Sequence, residues 1–99
     1  MHILFERTGG FAGRKLQGSL DSSQLPLPQA KRLKALLKQS GFFDLPAALK
    51  SGGEGADRFN YRVTIQTEDR SHTVEASDAA IPGKMRPLLE FLTRTLLER

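Results

Sequence analysis

Phe59-Asn60-Tyr61-Arg62-Val63-Thr64-Ile65-Gln66 is the stretch on which the fold of this 99-residue chain turns. Phe59, Tyr61, Val63 and Ile65 are apolar at every second position, and Asn60, Arg62, Thr64 and Gln66 fill the places between them. Successive side chains of a strand point to opposite faces, so this segment offers one face to a core and one to water. Such one-sided strands belong to antiparallel sheets. The next strand, Ser71 to Ser77, has to bury Val74 and Ala76, and a slip of one residue would turn both outward. Pairing Ile65 with Val74 and Val63 with Ala76 meets that demand. It leaves Glu68-Asp69-Arg70-Ser71 as the connection, with Gln66 opposite Thr73 and Thr64 opposite Glu75 on the wet face.

Working outward, Ile3 and Phe5 alternate with Leu4 and Glu6, and Leu16, Gly18 and Leu20 repeat the period of two. The first twenty residues therefore read as a hairpin, with Gly9-Gly10-Phe11-Ala12-Gly13 as its turn. From Pro28 the period becomes helical: Ala30, Leu33, Leu36 and Leu37 lie on one side, Lys31, Arg32, Lys34 and Lys38 on the other. Gly41 ends this helix by supplying a left-handed residue, Phe42 is placed to fold back on the last turn, and Pro46 prevents a restart. Ser51-Gly52-Gly53-Glu54-Gly55-Ala56 has almost nothing to bury and reads as a loop. Beyond Ile81-Pro82-Gly83, Met85, Leu88, Leu89, Leu92 and Leu96 form a second helical stripe, with Pro87 in its first turn and Glu90, Arg94 and Glu98 at i,i+4 spacing on the far side. The expectation is an α+β fold of order ββαββα: a four-stranded, mainly antiparallel sheet with two helices packed on one face. The strand order is not fixed by the sequence.

Length bounds the chain to a single domain over residues 1–99. Lys and Arg number 15 against 11 Asp and Glu, and 38% of residues are hydrophobic, a composition that excludes a disordered chain. The absence of cysteine removes disulfides, thiolate metal sites and a thiol nucleophile, and it fits a cytoplasmic location. Met1 to Arg7 holds four apolar residues before its first charge, too few for an export signal or a membrane span, so no membrane partner is expected. The charge is uneven. Residues 1 to 50 carry eight basic against three acidic side chains, and the rest carries seven against eight. The basic helix face either steers an acidic partner or is simply solvated.

Enzyme chemistry has no visible seat. Ser71 and His72 are neighbours in a strand, so they point to opposite faces and cannot act as nucleophile and base. His2 and His72 are the only histidines, and no spacing recommends carboxylates to complete a metal site, so neither a metal nor another cofactor is expected. Gly9 to Lys15 has the wrong spacing for a phosphate loop, and a strand follows where a helix is required. No catalytic residue is assigned. A small basic nucleic-acid-binding module is the alternative, yet Phe59 and Tyr61 lie on the core side and the opposite face shows no aromatic. Nucleic acid is therefore not the expected partner.

Phe11 is the large apolar residue that the core cannot easily claim. It sits at a hairpin tip among small residues that let another backbone approach, which suits an interface anchor, or it folds back over the sheet edge. Glu6-Arg7-Thr8-Gly9-Gly10-Phe11-Ala12-Gly13, then Gly41-Phe42-Phe43-Asp44-Leu45-Pro46, then Gly55-Ala56-Asp57-Arg58-Phe59-Asn60-Tyr61, together resemble the emfourin family, small bacterial inhibitors of protealysin-like and other thermolysin-like metalloproteases. Thr8 stands where relatives are expected to carry serine. The resemblance implies a non-catalytic protein that occludes the cleft of a zinc endopeptidase, the metal belonging to the partner; a monomer is expected, though the sequence does not fix the oligomeric state. It implies a protease-binding set of Thr8, Gly9, Gly10, Phe11, Ala12, Gly13, Glu54, Asp57 and Arg58. In that set Phe11 fills a hydrophobic pocket, Asp57 or Glu54 offers an oxygen to the zinc, and Arg58 pairs with an acidic cleft residue. A capping role for Asp44, Asp57 and Arg58 beside the glycine segments stays open.

Overall fold

The computed structural model describes residues 1–9, 15–49 and 59–98. Its strands are β1 (His2–Gly9), β2 (Leu16–Asp21), β3 (Ala48–Leu49), β4 (Phe59–Gln66) and β5 (Ser71–Ser77), and its helices are α1 (Leu27–Ser40) and α2 (Arg86–Leu97). They form one mixed sheet in the order β2-β1-β4-β5-β3. The two hairpins are joined through β1 and β4, which pair antiparallel along their whole length, from His2 with Gln66 to Gly9 with Phe59.

Two expectations about the sheet change. The sheet has five strands, not four, and the order is ββαβββα, because Ala48 and Leu49 add a short edge strand parallel to β5. Two residues are too few to show any alternation, and the contact is reinforced by the Glu75 N–H donating to the Ala47 carbonyl at 2.8 Å. The second correction is the register of β4 and β5. Val63 faces Val74, Ile65 faces His72 and Tyr61 faces Ala76, a shift of two residues from the expected pairing. A shift of two keeps every side chain on its face, so burial alone does not choose between the registers. Polar groups do. The observed one sets Thr64 against Thr73, whose hydroxyls share a 2.8 Å hydrogen bond, and Arg62 against Glu75, whose Nε donates to Oε1 at 2.7 Å. It also tightens the turn, where Thr67 N–H donates to the Arg70 carbonyl at 2.7 Å and Arg70 N–H to Thr67 Oγ1 at 3.1 Å.

α1 ends as the sequence requires. Gly41 has φ 61° and ψ 35°, its N–H bonds the Lys38 carbonyl, and Phe42 turns under the helix to become 1% exposed. Pro87 lies in the first turn of α2, where a missing N–H costs little. Both helices bury their stripes against the same side of the sheet: Leu33 and Leu36 from α1, and Leu88, Leu89 and Leu92 from α2, pack with Ile3, Phe5, Leu20, Val63, Ile65, Val74 and Ala76. The expected i,i+4 pairs of α2 do not form; among the described residues Glu90, Arg94 and Glu98 make no ion pair with one another. α2 also presses close on β2. A Cβ on Gly18 would lie 2.7 Å from a Leu96 methyl, which explains the glycine in an otherwise regular strand. The other face of the sheet stays wet, with Gln17, Ser19, Asn60, Arg62 and Gln66 exposed and Leu4 45% exposed among them.

Candidate functional site

Strand order decides what the two glycine-rich segments have in common. β1 leaves the sheet at Gly9, β4 enters it at Phe59, and these two residues are cross-strand partners. Direct partners in an antiparallel pair lie about 4.5–5.5 Å apart at their Cα atoms. β3 runs parallel to β5 and its last residue, Leu49, pairs with Ala76, so it finishes at the same end. The roots of both segments, Gly9 on one side and Leu49 and Phe59 on the other, thus belong to one end of one sheet. Gly9 has φ 89°, a conformation open to glycine and strained for other residues.

The stem beneath this end is built mostly from half-buried aromatics. Phe5, Tyr61 and Phe59 make a ladder on the inward face, with ring centres 6.1 Å and 6.3 Å apart. Arg7 falls on that face by the period of two, and its guanidinium lies 4.3 Å from the centre of the Phe59 ring. Burial pushes the Tyr61 phenol above its ordinary range; Asp78 adds to this, while Arg7 and Arg86 oppose it. Arg86, at the start of α2, reaches Asp78 through a 3.6 Å ion pair and donates to its carbonyl at 3.0 Å, which ties the end of β5 to the helix layer. On the wet face Lys15 lies 3.5 Å from Glu6. Thr8, opposite Asn60, is half-buried on that face. Between Arg7 and Tyr61 and the flank of α2 lies a cleft of about 560 Å³ with arginines and glutamates on its walls.

Of the residues expected to bind a partner, Thr8 and Gly9 are placed at this end; Gly10, Phe11, Ala12, Gly13, Glu54, Asp57 and Arg58 lie outside the described residues. Asp44 is elsewhere. It follows Phe42 and Phe43, which pack against His72 near the start of β5, at the opposite end of the sheet. His72 Nε2 donates to the Leu45 carbonyl at 2.7 Å, so the histidine closes this corner of the fold, and Ser71 is exposed on the other face. Among the described residues no three His, Asp or Glu side chains are grouped to hold a metal, and no helix is long and apolar enough to cross a membrane. Sequence reasoning missed Arg7 as a stem residue, although its position two after Phe5 already placed it on the inward face.

A family model described as Emfourin matches residues 5–93. No curated protein and no solved structure matches the chain.

Proposed function

The chain belongs to the emfourin family, a family of protease inhibitors and not of enzymes, and from that premise we propose that it inhibits a thermolysin-like zinc metalloprotease by filling its active-site cleft. The observation that carries the reading is the pairing of Gly9 with Phe59, which roots two segments distant in sequence beside each other. An inhibitor needs side chains held in place before contact, since ordering them on binding costs affinity. The Arg7–Phe59 stack and the aromatic ladder supply that support.

In this proposal Phe11 enters the enzyme's pocket for large apolar side chains, and Gly10, Ala12 and Gly13 let the enzyme's backbone approach. Burying an aromatic side chain in such a pocket contributes about 2–3 kcal/mol. From the second segment, Asp57 or Glu54 presents a carboxylate oxygen to the enzyme's zinc, and Arg58 pairs with a carboxylate of the cleft, the charge-assisted geometry that guanidinium favours.

The test is direct. Purified chain is added to thermolysin and hydrolysis of a chromogenic peptide is followed; saturable inhibition that substrate relieves is expected, and undiminished hydrolysis at saturating chain overturns the reading. The same assay with Glu54→Gln and Asp57→Asn tests the second segment. Weaker inhibition is expected from one of them, and potency equal to the parent in both excludes capture of the zinc by these carboxylates.

A further inference from the structure

We propose a second binding site, for an acidic peptide segment, in the concavity where the last two turns of α1 meet the β4–β5 turn. This hollow has a volume of about 350 Å³ and is lined by Lys34, Leu37, Lys38, Phe43, Asp44 and Arg70 among others. It is not part of the end that carries Gly9. β4 separates the two, and eight residues of strand at roughly 3.3 Å each span more than 20 Å.

The charges are unbalanced. Lys34, Lys38 and Arg70 face one carboxylate of the lining, Asp44, and among the described residues none of the three cations is within ion-pair distance of any carboxylate. Of the two acids in the turn, Glu68 and Asp69, the second accepts from Thr67 Oγ1 at 3.0 Å, and neither forms an ion pair with Arg70 or the two lysines. The partial negative charge at the end of α1 gives Lys38 a structural reason to be there. It gives none for Lys34, a turn earlier, or for Arg70, on the opposite wall. The Arg70 guanidinium instead stacks 4.4 Å from the centre of the Phe43 ring. A cation held by stacking keeps its N–H donors for an anion.

Spacing and floor select the ligand. Lys34 and Lys38, four residues apart on a helix, have Cβ atoms about 6 Å apart. Alternate side chains of an extended peptide repeat at nearly the same interval, roughly 6.6 Å. Leu37 and Phe43 make part of the floor apolar, which suits a peptide with apolar residues between its acids. A nucleic acid is matched less well. Its bases want an open aromatic face, and the guanidinium of Arg70 covers a face of Phe43.

The probe is a fluorescein-labelled heptapeptide of alternating Glu and Leu, titrated with the full chain by anisotropy at low and at physiological salt. Saturable binding is expected. Lys34→Gln with Lys38→Gln should weaken it at least ~10-fold, whereas Lys31→Gln with Arg32→Gln, the same charge loss on exposed residues outside the hollow, should weaken it less than ~3-fold. Circular dichroism checks the fold, and Arg70→Gln, expected to weaken binding in the same way, replaces the lysine pair if that variant does not fold. Equal losses from both pairs, no binding at low salt, or an oligothymidylate that binds more tightly and displaces the peptide each overturns the proposal.

Discussion

The two ends of the sheet are built by different means. At the β4–β5 turn, Phe42 is almost wholly buried, Phe43 and His72 pack against it, and the Leu45 carbonyl receives the imidazole N–H. At the Gly9 end, Phe59 and Tyr61 are half-buried, and the polar contacts among the described residues include a stacked guanidinium and the partly exposed ion pairs Glu6–Lys15, Arg62–Glu75 and Asp78–Arg86. Exposed pairs of that kind contribute about 0–1 kcal/mol each. Among the described residues the His72 corner is thus the more fully packed of the two; if the Gly9 end is the one that meets a partner, as proposed, substitutions at the two ends should separate stability from inhibition.

The largest effect is expected from Phe42→Ala, which removes a fully buried ring and should lower unfolding free energy by about 3–5 kcal/mol in urea titration. Inhibition per folded molecule should not change. Phe11→Ala should behave in the opposite way: the inhibition constant rises tenfold or more, equivalent to about 1.4 kcal/mol, at unchanged stability. If both substitutions change both quantities, the two ends are not separable. Gly9→Ala probes the junction. At φ 89° a Cβ is strained, and about 1–2 kcal/mol of stability should be lost in thermal melts, together with potency, because the root of the segment moves.

The smallest expected effect concerns pH. Tyr61 has its phenol pushed up, so the folded state favours the neutral ring, and this contribution is complete below the ordinary value of 10.0 and declines as pH rises through the raised value. Tyr61→Phe should therefore lose less stability between neutral and strongly alkaline pH than the parent. Parallel stability curves for the two proteins would mean that burial at this end is too shallow to matter.

What could be read from the sequence follows from parity. The period of two gave every inward residue of β4 and β5 correctly, and the period of 3.6 gave both helical stripes with the glycine stop at Gly41. A register shift of two leaves parity untouched, so only the threonine pair, the Arg62–Glu75 pair and the turn bonds could distinguish the alternatives. Two-residue β3 carries no period at all. The common root of the two glycine segments was also beyond reach, since it depends on β1 choosing β4 as its second neighbour. The motifs that resemble emfourins named the residues of both segments without telling that they start side by side.

Gly9 and Phe59 are partners although they are fifty positions apart in the chain. The first root is synthesised before the second, and a contact of such long range forms late and slowly compared with a local hairpin. A chain cut short before β4 therefore lacks the ladder that sets Gly9 and Phe59 side by side, and the sheet's central seam cannot close until the second half of the sequence is made.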